Sequence, residues 1–128
     1  VYLKNEYEVL KLNDGIYYES WKDYFQNLLL NNYFFPDTAY ELLGFYLENK
    51  VLFAVVRQKF VKSNQPTNLE KVKEFLKNNG FENTRNNDYY NKGLGIILED
   101  LHDENVLTQN EILFFIDTVF YTDENFYK

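Results

Sequence analysis

The sequence predicts an α+β fold on three observations. Alternating short segments and one uninterrupted amphipathic stretch fill the first half of the chain, and a polar, proline-bearing stretch divides it. A second amphipathic stretch then precedes two apolar runs that bracket an acidic loop. Strands and helices grouped along the chain in this way belong to α+β rather than to alternating α/β architecture. A chain of 128 residues holds one ordinary core, so one domain is expected over 1–128, in two parts, 1–62 and 63–128.

Val1-Tyr2-Leu3 and Tyr7 to Leu12 read as two short strands around the polar Lys4-Asn5-Glu6, with Val9 and Lys11 on one face and Leu10 and Leu12 on the other. Asn13-Asp14-Gly15 makes a turn. From Tyr18 to Tyr33 the residues Tyr18, Trp21, Phe25, Leu28 and Leu29 mark out a helical face, and no Gly or Pro interrupts it. Pro36 stops that helix and pushes Phe35 toward extended geometry. Glu41 to Tyr46 and Val51 to Val56 read as paired strands around Glu48-Asn49-Lys50. The second is apolar at every position, as in a strand buried on both faces. Ser63 to Asn68 reads as a linker, and Thr67 or Asn68 caps a helix whose apolar face is Leu69, Val72, Phe75 and Leu76, closed by Asn79-Gly80. Glu82 to Lys92 is rich in Asn and weakly periodic, hence loop or weak strand. Leu94 to Leu98 and Ile112 to Ile116 are expected as buried strands. No repeat is visible.

Composition narrows the function. Hydrophobic residues make up 45% and aromatic residues 20% of the chain, which excludes a disordered segment. A net charge of −7 offers no clustered basic surface, so neither nucleic acid nor an anionic membrane is expected as a partner. The absence of cysteine excludes disulfides and thiolate zinc sites and suits a reducing cytoplasm, the expected location. No apolar run reaches the roughly 18 residues of a membrane span.

The chemistry is concentrated in Leu98-Glu99-Asp100-Leu101-His102-Asp103-Glu104-Asn105-Val106-Leu107 and in Ile112 to Thr118. Asn105 and Asp117 carry hard oxygen atoms, and Asp100 a carboxylate. An acidic hairpin alone is ordinarily a solvated turn. Here Asp117 interrupts the otherwise apolar sequence from Ile112 to Phe120, and a charge in a buried strand is costly without a partner. His102, the single histidine, is expected to pack and hydrogen-bond so as to fix the loop rather than to ligate or catalyse.

This segment resembles the catalytic loop of protein and small-molecule kinases, where Asp and Leu are followed after three residues by Asn, and a later strand delivers a metal-binding Asp. Asp100, Leu101, Asn105 and Asp117 match that order, while Leu98-Glu99 stands where protein kinases have His-Arg. Lys11 resembles the strand lysine that pairs with nucleotide phosphates, with Glu19 or Asp23 on the next helix as its carboxylate partner. Val55 to Phe60, including Gln58, would be the hinge that meets adenine. In Asn32 to Thr38, Leu43-Gly44-Phe45, Gln58 and Ile97 to Asn105 the chain resembles the kinase-like domain of the polyvalent proteins of phages and mobile elements, over nearly its whole length.

The resemblance implies a minimal or truncated protein kinase-like fold: a small antiparallel sheet plus helix, then a helix and a catalytic-loop hairpin. It implies a phosphotransferase using ATP and Mg²⁺, with Asp100 catalytic, Lys11, Glu19 and Gln58 at the nucleotide, Asn105 and Asp117 at the metal, and the phosphate acceptor unspecified. The five glycines are scattered and form no Gly-rich loop, so a catalytically inactive kinase-like interaction module is the alternative. Phe126 and Tyr127 either cover a frayed end or dock a second copy in a homo-oligomer.

Overall fold

In a computed structural model, which describes residues 2–3, 5, 7–15, 18 and 20–127, the chain is α+β and divides into two compact units, residues 1–61 and 62–128. The first unit contains strands β1 (Tyr2–Leu3) and β2 (Glu8–Asn13), helix α1 (Trp21–Phe34), a 3-10 turn (Pro36–Thr38), and strands β3 (Glu41–Glu48) and β4 (Val51–Lys59). The strands form one antiparallel sheet in the order β1-β2-β4-β3.

Ser20 starts α1: its Oγ accepts the Asp23 N–H at 3.2 Å, satisfying one of the free donors of the first turn. Pro36 ends it as expected, with Phe35 leaving the helix at φ −130°. Tyr24 and Leu28 of the helix pack on Ala54 and Val56 of β4, flanked by Tyr18, Trp21, Phe25 and Tyr40. The buried amides Asn31 Nδ2 and Gln58 Nε2 both donate to the Thr38 carbonyl, at 3.2 and 2.8 Å, and fix the 3-10 turn between helix and sheet.

β4 is central in the sheet, yet it is not buried on both faces. Ala54, Val56 and Gln58 are buried in alternation, whereas Val51 and Leu52 are exposed. A single helix covers only one face of an antiparallel sheet, so the continuous apolar run does not mean what it would in a parallel sheet. Edge strand β3 is exposed along nearly its whole length, including Leu42, Leu43, Phe45, Tyr46 and Leu47.

The second unit contains α2 (Leu69–Asn78), β5 (Glu82–Arg85), β6 (Asp88–Asn91), β7 (Ile96–Glu99), β8 (Val106–Gln109), β9 (Ile112–Phe115), β10 (Val119–Thr122) and a final 3-10 turn (Glu124–Tyr127). Asn68 caps α2 by accepting the Glu70 N–H at 2.9 Å, and Gly80, at φ +89°, follows its C-terminus. One antiparallel sheet runs β10-β7-β6-β5, while β8 and β9 pair separately. Val72, Leu76, Phe81, Leu98, Leu101, Val106, Phe115 and Phe120 are among the unit's buried residues.

Two stretches differ from expectation. Glu82 to Lys92, expected as loop or weak strand, is a hairpin of two short strands, with Tyr89 of β6 buried and Asn83 Nδ2 donating to the Asp88 carbonyl at 3.0 Å. Ser63 to Asn68 does more than link. It runs beside β8, with Asn64 N–H donating to the Thr108 carbonyl at 3.1 Å, a bridge between Gln65 and Thr108, and Thr67 Oγ1 donating to the Val106 carbonyl at 2.6 Å.

Gly95 is required where the last turn closes on β7. Its φ is +70°, the Asp123 N–H donates to its carbonyl at 2.9 Å, and an added Cβ would lie 2.5 Å from the Phe126 nitrogen. Among the described residues no helix is long and apolar enough to cross a membrane.

Candidate functional site

The acidic loop leaves the sheet at Glu99, which pairs with Val119 of β10. Asp100 follows at φ +67°, the left-handed conformation that Asp tolerates better than most residues. Two backbone bonds anchor this reversal to the turn between β5 and β6: Asp100 N–H donates to Asp88 Oδ1 at 3.1 Å, and Leu101 N–H donates to the Asn87 carbonyl at 3.0 Å. Leu101 itself is buried, so an apolar plug and two hydrogen bonds set the direction in which Asp100 leaves the strand.

Asn105 closes the loop. It is buried, its N–H donates to the His102 carbonyl at 3.0 Å, and its Nδ2 donates to the Asp100 carbonyl at 2.8 Å. With the nitrogen committed, Oδ1 is the amide atom left to accept or to ligate. His102 sits between the two, with Nε2 3.4 Å from Asp100 Oδ1 and 3.2 Å from Asn105 Nδ2, while Nδ1 accepts the Glu104 N–H at 3.3 Å. The loop-fixing role expected of the histidine is the one its contacts describe.

The β8–β9 hairpin returns the chain to the same place, since Ile116 N–H donates to the Asn105 carbonyl at 3.0 Å. Asp117 is the next residue. The expectation that it ends a buried strand is corrected: β9 stops at Phe115, and Asp117 lies exposed on a bend before buried Thr118. Its charge is solvated, so desolvation supplies no argument for a partner. Burial first, and then the carboxylates of Asp88 and Asp100, raise the Glu99 carboxyl above its ordinary value, with Arg85 opposing.

In the first unit, Lys11 lies opposite Val56, which puts it on the sheet face that α1 covers, and its Nζ is 5.4 Å from the centre of the Tyr40 ring. Gln58 is buried, with its amide on the Thr38 carbonyl, so its observed contact is structural. Glu19 lies outside the described residues. Asp23, the alternative partner, accepts the Ser20 hydroxyl at 3.2 Å within the helix cap.

Sequence reasoning missed Asn87 and Asp88, which hold the root of the loop. Their only signal is position in an Asn-rich turn, without periodicity. Among the described residues no three His, Cys, Asp or Glu side chains gather as a metal cluster. A Mg²⁺ shared with phosphates needs fewer protein ligands, and the oxygens of Asn105 and Asp117 are of the type such an ion takes.

A carboxylate-bearing residue just past a strand end, an amide tied back to that residue's carbonyl, and a second carboxylate past a hairpin follow the order of parts used by phosphoryl-transfer enzymes of the kinase class. A model of the family described as the serine/threonine/tyrosine kinase found in polyvalent proteins matches residues 1–124, and the chain belongs to that family. No curated protein and no solved structure matches it.

Proposed function

We propose that this chain is an ATP- and Mg²⁺-dependent phosphotransferase of reduced protein kinase-like fold, acting on a hydroxyl acceptor of the serine, threonine or tyrosine kind that its family's description names. The first unit is its small-lobe-like part and the second its reduced large-lobe-like part. The observation that carries the reading is the 2.8 Å bond from Asn105 Nδ2 to the Asp100 carbonyl, which makes the base and the metal-binding amide one structural unit. Asp100 accepts the proton of the acceptor hydroxyl as the oxygen attacks. Asn105, through Oδ1, and Asp117 hold the metal, and Lys11 neutralises phosphate charge. When bound, Mg²⁺ supplies charge neutralisation on the transferring phosphoryl group.

One observation favours a catalytically silent interaction module instead: Lys4-Asn5-Glu6-Tyr7, which joins β1 to β2, contains no glycine to cover phosphates. Calorimetric titration with ATP, with and without Mg²⁺, separates the two. Metal-dependent binding that Asp117→Ala and Asn105→Ala abolish supports the phosphotransferase. A folded wild type that binds no nucleotide sinks it. Asp117→Ala is the cleaner variant, because its exposed side chain leaves no cavity.

A further inference from the structure

Strand β5 contributes no buried side chain: Glu82, Asn83, Thr84 and Arg85 are all exposed. Its side chains instead build the turn that follows. Asn83 Nδ2 donates to the Asn86 carbonyl at 2.9 Å and to the Asp88 carbonyl at 3.0 Å, Thr84 Oγ1 donates to the same Asp88 carbonyl at 3.2 Å, and Asn86 turns the chain at φ +47°. The turn presents two acceptors to the acidic loop, the Asn87 carbonyl and Asp88 Oδ1. Any residue at 87 has a carbonyl. The second acceptor depends on the side chain at 88.

These two acceptors act on both sides of one Cα. The Asp100 N–H belongs to the peptide plane between Glu99 and Asp100, and the Leu101 N–H to the plane between Asp100 and Leu101. Peptide planes are rigid, so φ and ψ of Asp100 are the only rotations between them. Tying the first plane to Asp88 Oδ1 at 3.1 Å and the second to the Asn87 carbonyl at 3.0 Å fixes both angles, and Asn105 Nδ2 holds the second plane again through the Asp100 carbonyl at 2.8 Å. The conformation so fixed is left-handed, at φ +67°, which a non-glycine residue keeps only where its surroundings determine it. Once φ and ψ are set, so is the direction of the Cα–Cβ bond. We propose that Asp88 is a positioning residue for Asp100: by accepting the Asp100 N–H, its carboxylate holds the left-handed backbone that aims the Asp100 side chain at the acceptor hydroxyl. The functional half of this inference rests on the phosphotransferase reading. The anchoring half rests on the loop geometry alone.

Amide hydrogen exchange, followed residue by residue by NMR, reads the anchor without nucleotide. The Asp100 amide should be protected in the wild type. Asp88→Ala should lower that protection by roughly tenfold or more while the amides of β8 and β9 keep theirs, and Asp88→Asn, which loses the charge but keeps an oxygen acceptor, should retain most of it. An Asp100 amide that exchanges freely in the wild type, or that keeps its protection in Asp88→Ala, overturns the inference whatever the protein does with nucleotide.

Turnover of Mg-ATP tests the functional half. Asp88→Ala is expected to lower kcat by roughly tenfold to a hundredfold with KM for ATP within about twofold, and Asp88→Asn to recover most of that loss. Equal activity of Asp88→Ala and wild type overturns the positioning role. An Asp88→Asn variant as slow as Asp88→Ala overturns it as well, because the charge rather than the hydrogen bond would then set the rate. A wild type that binds no Mg-ATP defeats the phosphotransferase reading, and the exchange result then decides the inference by itself.

Discussion

The β3–β4 and β8–β9 hairpins use the same turn, two consecutive non-glycine residues with positive φ: Asn49 and Lys50 at 50° and 67°, Asn110 and Glu111 at 51° and 67°. These are the signs of φ that a two-residue type I′ turn needs to match the twist of its strands. Their surroundings differ. The β3–β4 hairpin ends in exposed Leu47, Val51 and Leu52. The β8–β9 hairpin is braced by the preceding segment, with Asn64 Nδ2 donating to Asn110 Oδ1 at 2.8 Å, Asn110 N–H donating to Asn64 Oδ1 at 3.0 Å, and Gln109 Nε2 donating to the Lys62 carbonyl at 3.0 Å. The braced hairpin is the one with Asn105 just before it and Asp117 just after. A polar segment with no hydrophobic pattern thus fixes the spacing between two candidate metal ligands.

The contrast can be broken most forcefully through side chains. Phe115→Ala in β9 removes a buried ring and should cost about 3–5 kcal/mol, whereas exposed Leu47→Ala in β3 should stay within about 0.5 kcal/mol. Urea midpoints of the two variants measure the difference. Next in size is the brace itself. Thr67→Val removes the donor to the Val106 carbonyl and the partner of Thr108 Oγ1, and should cost about 1–3 kcal/mol on the same urea scale. If metal-dependent nucleotide affinity falls with it while Leu47→Ala leaves affinity intact, the brace controls the site.

Smaller effects sharpen the comparison at the turns. Lys50→Gly and Glu111→Gly each relieve a left-handed residue and should stabilise by roughly 0.5–1 kcal/mol, as thermal midpoints would show. Equal gains would mean that the brace does not alter turn strain. The smallest effect is electrostatic. Because the folded-state pKa of Glu99 is raised, the folded chain binds more protons than the unfolded chain just above the ordinary Glu pKa, so its contribution to stability falls as pH rises through that window. Glu99→Gln should therefore raise the thermal midpoint slightly at neutral pH and lose that advantage below the ordinary Glu pKa.

Both helices were legible from apolar spacing and their terminators Pro36 and Gly80, and Asn68 marked the start of the second; the first was read from Tyr18 but starts at Trp21 after the Ser20 cap, and Leu29, expected on its apolar face, is exposed. The loop from Leu98 to Asn105 was legible as a motif, since its chemistry resides in side-chain identity at fixed spacing. What escaped was structure made by amides. β5 is Glu82-Asn83-Thr84-Arg85, exposed throughout, and its bonds from Asn83 and Thr84 leave no hydrophobic trace. The 62–68 brace escaped for the same reason. The burial assigned to Asp117 erred because an apolar neighbourhood in sequence does not show that the chain bends outward at that residue.

β7 delivers the chain to Asp100, and one of its two neighbours in the sheet is β10, with the last turn closing on Gly95. During synthesis, then, the loop root cannot be completed when residues 100–118 emerge from the ribosome. It waits for residues 119–127. Until then one edge of β7 lacks its partner strand, and its backbone hydrogen-bonding groups stay open.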